Sequence, residues 1–597
     1  MRMAETILTV IRNRGLRELP IEGVYRLLYN RNLYLCAYGK LYRNNGAMTE
    51  GVTSETVDGM TLKKIDNIIK LLQHEKYRWT PVRRTYVPKK NKKLRALGLP
   101  TWTDKLLQEV IRLILEAYYE PQFSNYSHGF RPKRGCHTAL KQVVNKGGGT
   151  KWFIEGDISS CFDRLDHSIL LDTIKEKFQD NRFIRLLNGL LEAGYLEDWK
   201  YNATHSGVPA GSIIGPILSN IALDRFDKYV EKQLIPAYTC GRQRGKNPVY
   251  NSLQSKAYRM RKQGNWKEVL LLKKLMRKIP SGKPDDPNYR RLWYARYADD
   301  FLLGYIGPKN EAVLIKQEIS KFLCNNIKLE LNAEKTLVTH ARNERAKFLG
   351  YEIHALHADD KHDYRGRRCI NGRIGLRVPM RVVQEKCARY IRHNKPESMS
   401  LRINDETYSI VAQYQAEYRG IVQYYKMAYN LCVLSELKYV MGLSLAKTLA
   451  SKYKTTCTKI FKRYGTMITT KDGKYKVILA TVKREAPKKP LVAYFGGIPL
   501  KWSKVSKIDD TIANPIWSNK SELVQRLLAQ KCEVCGTQEN IEVHHIRKLA
   551  NLMRKDRTQL SAGKRWMIAK KRKTIVVCRR CHDDIHGGRY DGRKLSA

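Results

Sequence analysis

The chain has 597 residues, with 111 Lys and Arg against 57 Asp and Glu, a formal net charge of +54 that runs through its whole length. Self-repulsion on that scale opposes a compact state unless a polyanion neutralises it, which points to nucleic acid. At 42% hydrophobic, with 9 Trp, 35 Tyr and 12 Phe, it is not a disordered basic coat, and the absence of an apolar stretch of membrane-spanning length or a signal-peptide core argues against a membrane partner.

The length suits about three to five domains. Residues 1–60 read as helices, with a basic stretch from Arg12 to Arg17 and a loop around Asn44. A β-rich segment runs from Tyr77 to Pro100. A helix follows, with Thr103 or Asp104 as its cap and Leu107, Val110, Ile111, Ile114 and Leu115 at helical spacing. The strand from Trp152 to Ile158 carries Asp157 near its end, and the turn Gly207 to Ser212 enters another helix. Residues 236–291 form a basic insertion whose middle, Tyr258 to Lys278, reads as one helix. It is either a nucleic-acid contact or a solvated surface helix. After Phe348 to Ile353 a mostly helical block spans 376–465, and a basic linker around Pro487 to Pro490 precedes a cysteine module.

Asp299 and Asp300 lie in a Tyr-Ala-Asp-Asp run between two apolar stretches, which reads as a β-hairpin with the acids at its tip. Adjacent carboxylates repel and resist burial, so a shared cation explains them better than a solvated turn when aromatic and β-forming residues surround them. Two-metal nucleotidyl transfer needs a further carboxylate from a neighbouring strand. Asp157 fits. Asp163 and Asp166, three residues apart, suit a helix surface.

The ordered set of Tyr38-Gly39-Lys40, Arg83 to Lys89, Ser127 to Pro132, Gly156-Asp157-Ile158, Cys161-Phe162-Asp163, the Gly207 turn, Tyr-Ala-Asp-Asp, Glu334-Lys335-Thr336 and Phe348 to Tyr351 resembles the group II intron-encoded reverse transcriptase/maturases of the mitochondrial-type lineage, which also occurs in bacteria. The resemblance implies a multidomain α/β protein: right-hand polymerase fingers and palm (α+β), a helical thumb or domain X, and a small zinc-stapled HNH domain of the ββα-metal type. Asp157, Asp299 and Asp300 would bind two Mg2+ ions, Lys89 and Arg95 would grip the incoming dNTP, and Phe162 would exclude a ribose 2′-hydroxyl. The chain departs from the family at Ala210, usually Gln, and at Gly215, usually Ser. Neither removes a metal ligand, so DNA synthesis is expected to persist.

Within the helical block, Arg419 to Tyr425 and Ser444 to Lys454 resemble domain X. Lys447, Lys452, Lys454 and Lys459 with interleaved tyrosines suit RNA phosphates and bases. The scattered cysteines read as ordinary thiols of a reducing compartment, whereas Cys532-x-x-Cys535 and Cys578-x-x-Cys581 have the spacing of a tetrahedral Zn2+ site. His544-His545 and the i,i+4 pair His582 and His586 bring the module close to an HNH nuclease. By that pattern His545 is the general base, and His544, His582 and His586 hold one divalent ion. The family asparagine is not evident, since Lys573 and Thr574 stand in its region. The expected partition is 1–60 as an RNA-binding extension, 61–365 fingers and palm, 366–475 domain X, 476–525 a DNA-binding linker and 526–597 the nuclease. The expected partners are group II intron RNA, target double-stranded DNA and dNTPs. Homodimerisation is left open, and the bacterial cytoplasm is the expected location, with the mitochondrion as alternative.

Overall fold

The computed structural model describes residues 3–88, 94–198, 200–204, 206–208, 211–283, 285–364, 368–470, 472–482, 484, 490–503, 521–545, 574–587 and 589. The strand Trp152–Asp157 lies between Val338–His340 and Asp300–Ile306, and Arg291–Tyr297 forms the far edge, every pair antiparallel. A strand with one solvated face alternates apolar and polar residues; these carry continuous apolar runs because both faces of the sheet are covered. Ile154, Leu303 and Tyr305 enter a core shared with Phe226 of the helix Gly215–Tyr229 and Ile315 of the helix Lys309–Phe322. Phe153, Trp293, Ala295 and Leu302 turn the other way, towards Ala139 and Leu140 of the helix Cys136–Lys146. Gly156 pairs with Phe301, whose ring occupies the space of a side chain there: a Cβ would fall 2.0 Å from it.

Ahead of this sheet, the helices expected in 1–60 are Ala4–Leu16, Val24–Leu27 and Arg31–Leu41; the first and third pack on the helix Trp102–Tyr119. The β-rich segment is the hairpin of Val82–Pro88 and Leu94–Leu99, extended by Tyr195–Glu197 and Lys200–Asn202. The cap of the helix after it differs from expectation. Thr101 is extended and its Oγ1 accepts from Asp104 N at 3.3 Å, so the helix starts at Trp102. Thr103 Oγ1 instead donates to Glu55, and Asp104 accepts from Tyr77 Oη.

The basic insertion also differs: it is a pair of helices, Pro248–Lys262 and Trp266–Lys278, packed on one another. Gly264 takes a left-handed φ of 74° and Asn265 caps the second helix through Glu268 N, so one continuous helix gives way to a hairpin. In the block from 376 to 465 the helices Met380–Cys387, Thr407–Tyr424, Leu434–Lys452 and Cys457–Tyr464 share a core with the second face of the central sheet. An antiparallel sheet of Gly465–Thr470, Gly473–Val482 and Leu491–Phe495 follows, and Phe495 packs on Tyr418 at 5.8 Å between ring centroids. A boundary at 475 falls inside one of its strands.

The cysteine module is a ββα unit of Ile541–His545, Thr574–Cys578 and Arg579–His586. It is not a loose tail. The helix Glu522–Leu528 packs on Arg31–Leu41, and Met60 pairs with Val543 on the open edge of the module's hairpin. No helix among the described residues is long and apolar enough to cross a membrane.

Candidate polymerase and nuclease centres

The register of the central sheet sets Asp157 directly opposite Asp300, while Tyr297 pairs with Asp300 and leaves Ala298 and Asp299 as a two-residue turn. Ala298 takes a left-handed φ of 56°. All three carboxylates therefore meet at one end of the sheet, half-buried. Burial first, then the charge of Asp299 and a hydrogen bond with Asp157, push the Asp300 carboxyl up to about 7; burial likewise raises Asp299. Lys335 offsets part of this charge with Nζ 2.7 Å from Asp157 Oδ2. Crowded carboxylates, two of which (Asp299 and Asp300) resist ionising, are a donor set a hard divalent cation relieves.

Arg95 stands across the hairpin of Val82–Pro88 and Leu94–Leu99 from Val87, near enough to Asp299 to favour its charged form. The Phe162 ring lies edge-on to Phe130 at 6.2 Å. Lys89 and Ala210 lie outside the described residues. Gly215 starts its helix and donates its N–H to Ser212 Oγ at 3.2 Å. Asp163 is exposed, and Asp166 caps the helix His167–Lys175 while pairing with Lys328, so neither joins the trio.

Sequence reading missed what holds the turn. Arg296 is fully buried, paired with Asp227 at 2.5 Å, and donates to Ala298 O at 2.8 Å and Ser127 Oγ at 2.9 Å. The only signal was an arginine inside an apolar strand. Removing one partner of a buried ion pair strands the other's charge, at a cost of about 3–5 kcal/mol. Arg296→Met is expected to lower the unfolding free energy by that cost, read as a lower urea midpoint, and to lose primer extension, whereas the double change with Asp227→Leu recovers much of the stability. A midpoint equal to the parent's in the single variant would refute this.

In the ββα unit, His544, His582 and His586 converge, with ring centroids 4.7–5.0 Å apart. Neither ring nitrogen of the buried His544 has a hydrogen-bond partner among the described residues, an orphaned state that a metal ligand explains. Glu542 Oε1 lies 3.0 Å from His582 Nδ1 and fixes its ring, the usual arrangement behind a ligating imidazole. A carboxylate absent from the sequence reading completes the cluster: Asp58, 524 residues from His582 in the chain. Burial holds His544 down to about 3 and His545 to about 4, so both rings are neutral at physiological pH, the form that binds metal or accepts a proton. His545, the expected general base, lies covered in this structure. It is 5% exposed and its Nε2 lies 3.0 Å from Tyr38 Oη. Thr574 is its strand partner, and Lys573 lies outside the described residues.

Cys532, Cys535, Cys578 and Cys581 bring their sulfurs within 4.8 Å of one another and can hold zinc. In the helical block Lys454 and Lys459 are exposed, Lys447 is half-buried and Lys452 donates to Ile403 O. Tyr453 and Tyr464 stack at 6.1 Å under the Arg463 guanidinium.

A palm-like sheet ending in three carboxylates, joined to a ββα unit with a histidine cluster, defines a polymerase fused to a metal-dependent nuclease. Residues 87–353 match the family model for reverse transcriptase (RNA-dependent DNA polymerase), 371–495 that for type II intron maturase, and 532–582 that for the AI2M/AI1M-like HNH endonuclease. The chain belongs to the group II intron-encoded proteins. It is 37% identical to the group II intron-encoded protein LtrA of Lactococcus lactis subsp. cremoris, over 94% of this chain and 95% of that one. It is 31% identical to the COX1/OXI3 intron 2 protein of Saccharomyces cerevisiae, over 96% of this chain and 67% of that protein. It is thus an RNA-directed DNA polymerase and an endonuclease with a maturase domain.

Proposed function

We propose that this protein moves its parent intron by nicking target DNA and copying intron RNA onto the exposed 3′-end. Asp157, Asp299 and Asp300 would hold two Mg2+ ions, which would supply activation of the primer hydroxyl and charge neutralisation of the dNTP phosphates. Lys89 and Arg95 neutralise the triphosphate, and Phe162 shuts out the 2′-hydroxyl. Tyr453, Tyr464, Lys447, Lys452, Lys454 and Lys459 bind intron RNA, and the maturase unit runs through the sheet ending at Phe495. In the nuclease, Cys532, Cys535, Cys578 and Cys581 would hold a Zn2+ ion that staples the fold, and His544, His582 and His586 would hold one divalent ion whose charge would favour the departing oxygen. His545 takes the proton of the attacking water. The host is proposed to be bacterial, with a mitochondrion as alternative, and self-association to a homodimer fits the intron proposal without being required by it.

The observation that carries this reading is Asp157 opposite Asp300 with Asp299 in the adjoining turn. The test supplies the full-length chain with its intron RNA, a labelled duplex containing the insertion site, and dNTPs. The expected product is cDNA covalently joined to the nicked strand. A nick with cDNA that is never joined to it, or no nick at all, would overturn the coupling.

A further inference from the structure

Asp58 sits where none of the sequence motifs would place a nuclease residue. Its Oδ2 lies 2.8 Å from His586 Nε2, and its Oδ1 lies 3.1 Å from His582 Nε2 and 3.5 Å from His544 Nδ1. The carboxylate is therefore at the focus of the three imidazoles. Three nitrogens and one carboxylate oxygen make a complete four-coordinate set, the hallmark of a closed structural site; a catalytic site keeps one position open for water or substrate. In a phosphodiesterase centre that position belongs to the scissile phosphate, an anion that competes with a carboxylate for the same place.

The rest of the segment covers the other half of the machinery. Asp58 Oδ1 also accepts from His545 N at 2.7 Å, and Tyr38 Oη covers His545 Nε2. Gly59, in a turn with φ 67°, donates to Val543 O at 3.0 Å and Val543 donates to Met60 O at 3.1 Å, so Met60 forms a single bridge on the edge of the nuclease hairpin. Lys63 Nζ bonds Asn540 Oδ1 at 3.1 Å. Residues 38 and 58–63 thus block both the open coordination position and the proposed base. They belong to the amino-terminal part of the chain, which packs on the helix Trp102–Tyr119 of the polymerase.

We propose that Asp58 is an intramolecular latch on the nuclease, a carboxylate that occupies the substrate position of the His544–His582–His586 site and holds the module shut against the fingers until DNA displaces it. This rests on the reading of that cluster as the nuclease centre. The latch links the two activities physically, because exposing the nuclease requires its module to move from the surface of the polymerase.

The test uses full-length Asp58→Ala, Asp58→Asn and Tyr38→Phe. Primer extension at the parent's rate certifies that each chain is folded. Three readouts follow: nicking of the target duplex, hydrogen exchange of the Ile541–His545 amides without DNA, and Co2+ titration of the zinc-loaded chain. The latch requires Asp58→Ala and Asp58→Asn to nick faster by roughly tenfold, to exchange the His545 and Val543 amides faster and to bind Co2+ more weakly. Tyr38→Phe should nick faster with Co2+ binding unchanged. Nicking that falls in step with Co2+ affinity would overturn the latch and make Asp58 a required ligand. Unchanged exchange and nicking would overturn it as well. If His545→Ala nicks like the parent, the reading of the centre fails instead, whatever Asp58 does.

Discussion

Asp300→Asn is expected to reduce primer extension on an RNA template by roughly 10³-fold or more while target nicking continues at the parent's rate. Asn keeps the size and the strand register with Asp157, but it offers a neutral oxygen where the trio needs charge. The variant therefore forfeits several kcal/mol of metal-derived stabilisation of the pentavalent transition state. Stability should move the other way. The Asp300 carboxyl is raised to about 7, chiefly by burial and by Asp299. A carboxyl raised above its unfolded value adds stability below the unfolded pKa near 4, and that stability is lost as pH rises through about 7. At pH 8, in chelator, the parent bears the cost of ionised, crowded acids and the variant does not. Its urea midpoint at pH 8 should equal or exceed the parent's, and the gap should close towards pH 5. Residual synthesis above a few per cent, or a midpoint below the parent's at pH 8, would argue that Asp300 serves packing and not metal.

The same trio shows what a chain can reveal before it is folded. Asp157, Asp299 and Asp300 were legible because each ends an apolar run, and acids at the ends of buried strands have few roles other than charge chemistry. The two Cys-x-x-Cys pairs and the His582–His586 spacing were legible for a similar reason, since metal geometry imposes short fixed separations. Arg296 was harder. Its partner Asp227 lies on a helix 69 residues away, and nothing local in Leu292 to Tyr297 says that a guanidinium is buried there to hold the Ala298 carbonyl. Asp58 was harder still. It follows Val57 in an irregular segment and acquires its neighbours only when the last 60 or so residues dock on the first 60, a contact that no periodicity encodes. Local errors had local causes: Thr101 competes with Thr103 for the cap, and Gly264 breaks a basic run whose charge pattern is continuous. Partition of the chain was blurred because the two hydrophobic cores run across the expected boundaries. One joins the central sheet to the helices between 380 and 464, and the other joins the amino-terminal helices to the nuclease hairpin.

His545→Ala should lower nicking of the target duplex by about 10²–10⁴-fold, the usual worth of a positioned general base, with zinc content unchanged and cDNA synthesis intact on a duplex nicked beforehand. The separation follows from where the two adjacent histidines sit. Successive residues of a strand face opposite ways, so His544 turns to His582 and His586 while His545 turns to Tyr38 and Tyr42. Loss of the His545 ring removes no nitrogen from the metal cluster and no sulfur from the cysteine site, and the backbone pairing with Thr574 survives because it uses main-chain atoms. Burial keeps that imidazole neutral, its pKa lowered to about 4, and the same burial weakens it as a base until it is uncovered. The ring that is covered by Tyr38 must be uncovered to meet water, which makes access, and not protonation, the controlled variable at this site. Nicking by His545→Ala should therefore remain low in combination with Asp58→Ala: opening the site cannot rescue a reaction whose base is gone. A double variant that nicks as fast as Asp58→Ala alone would move the base to another residue.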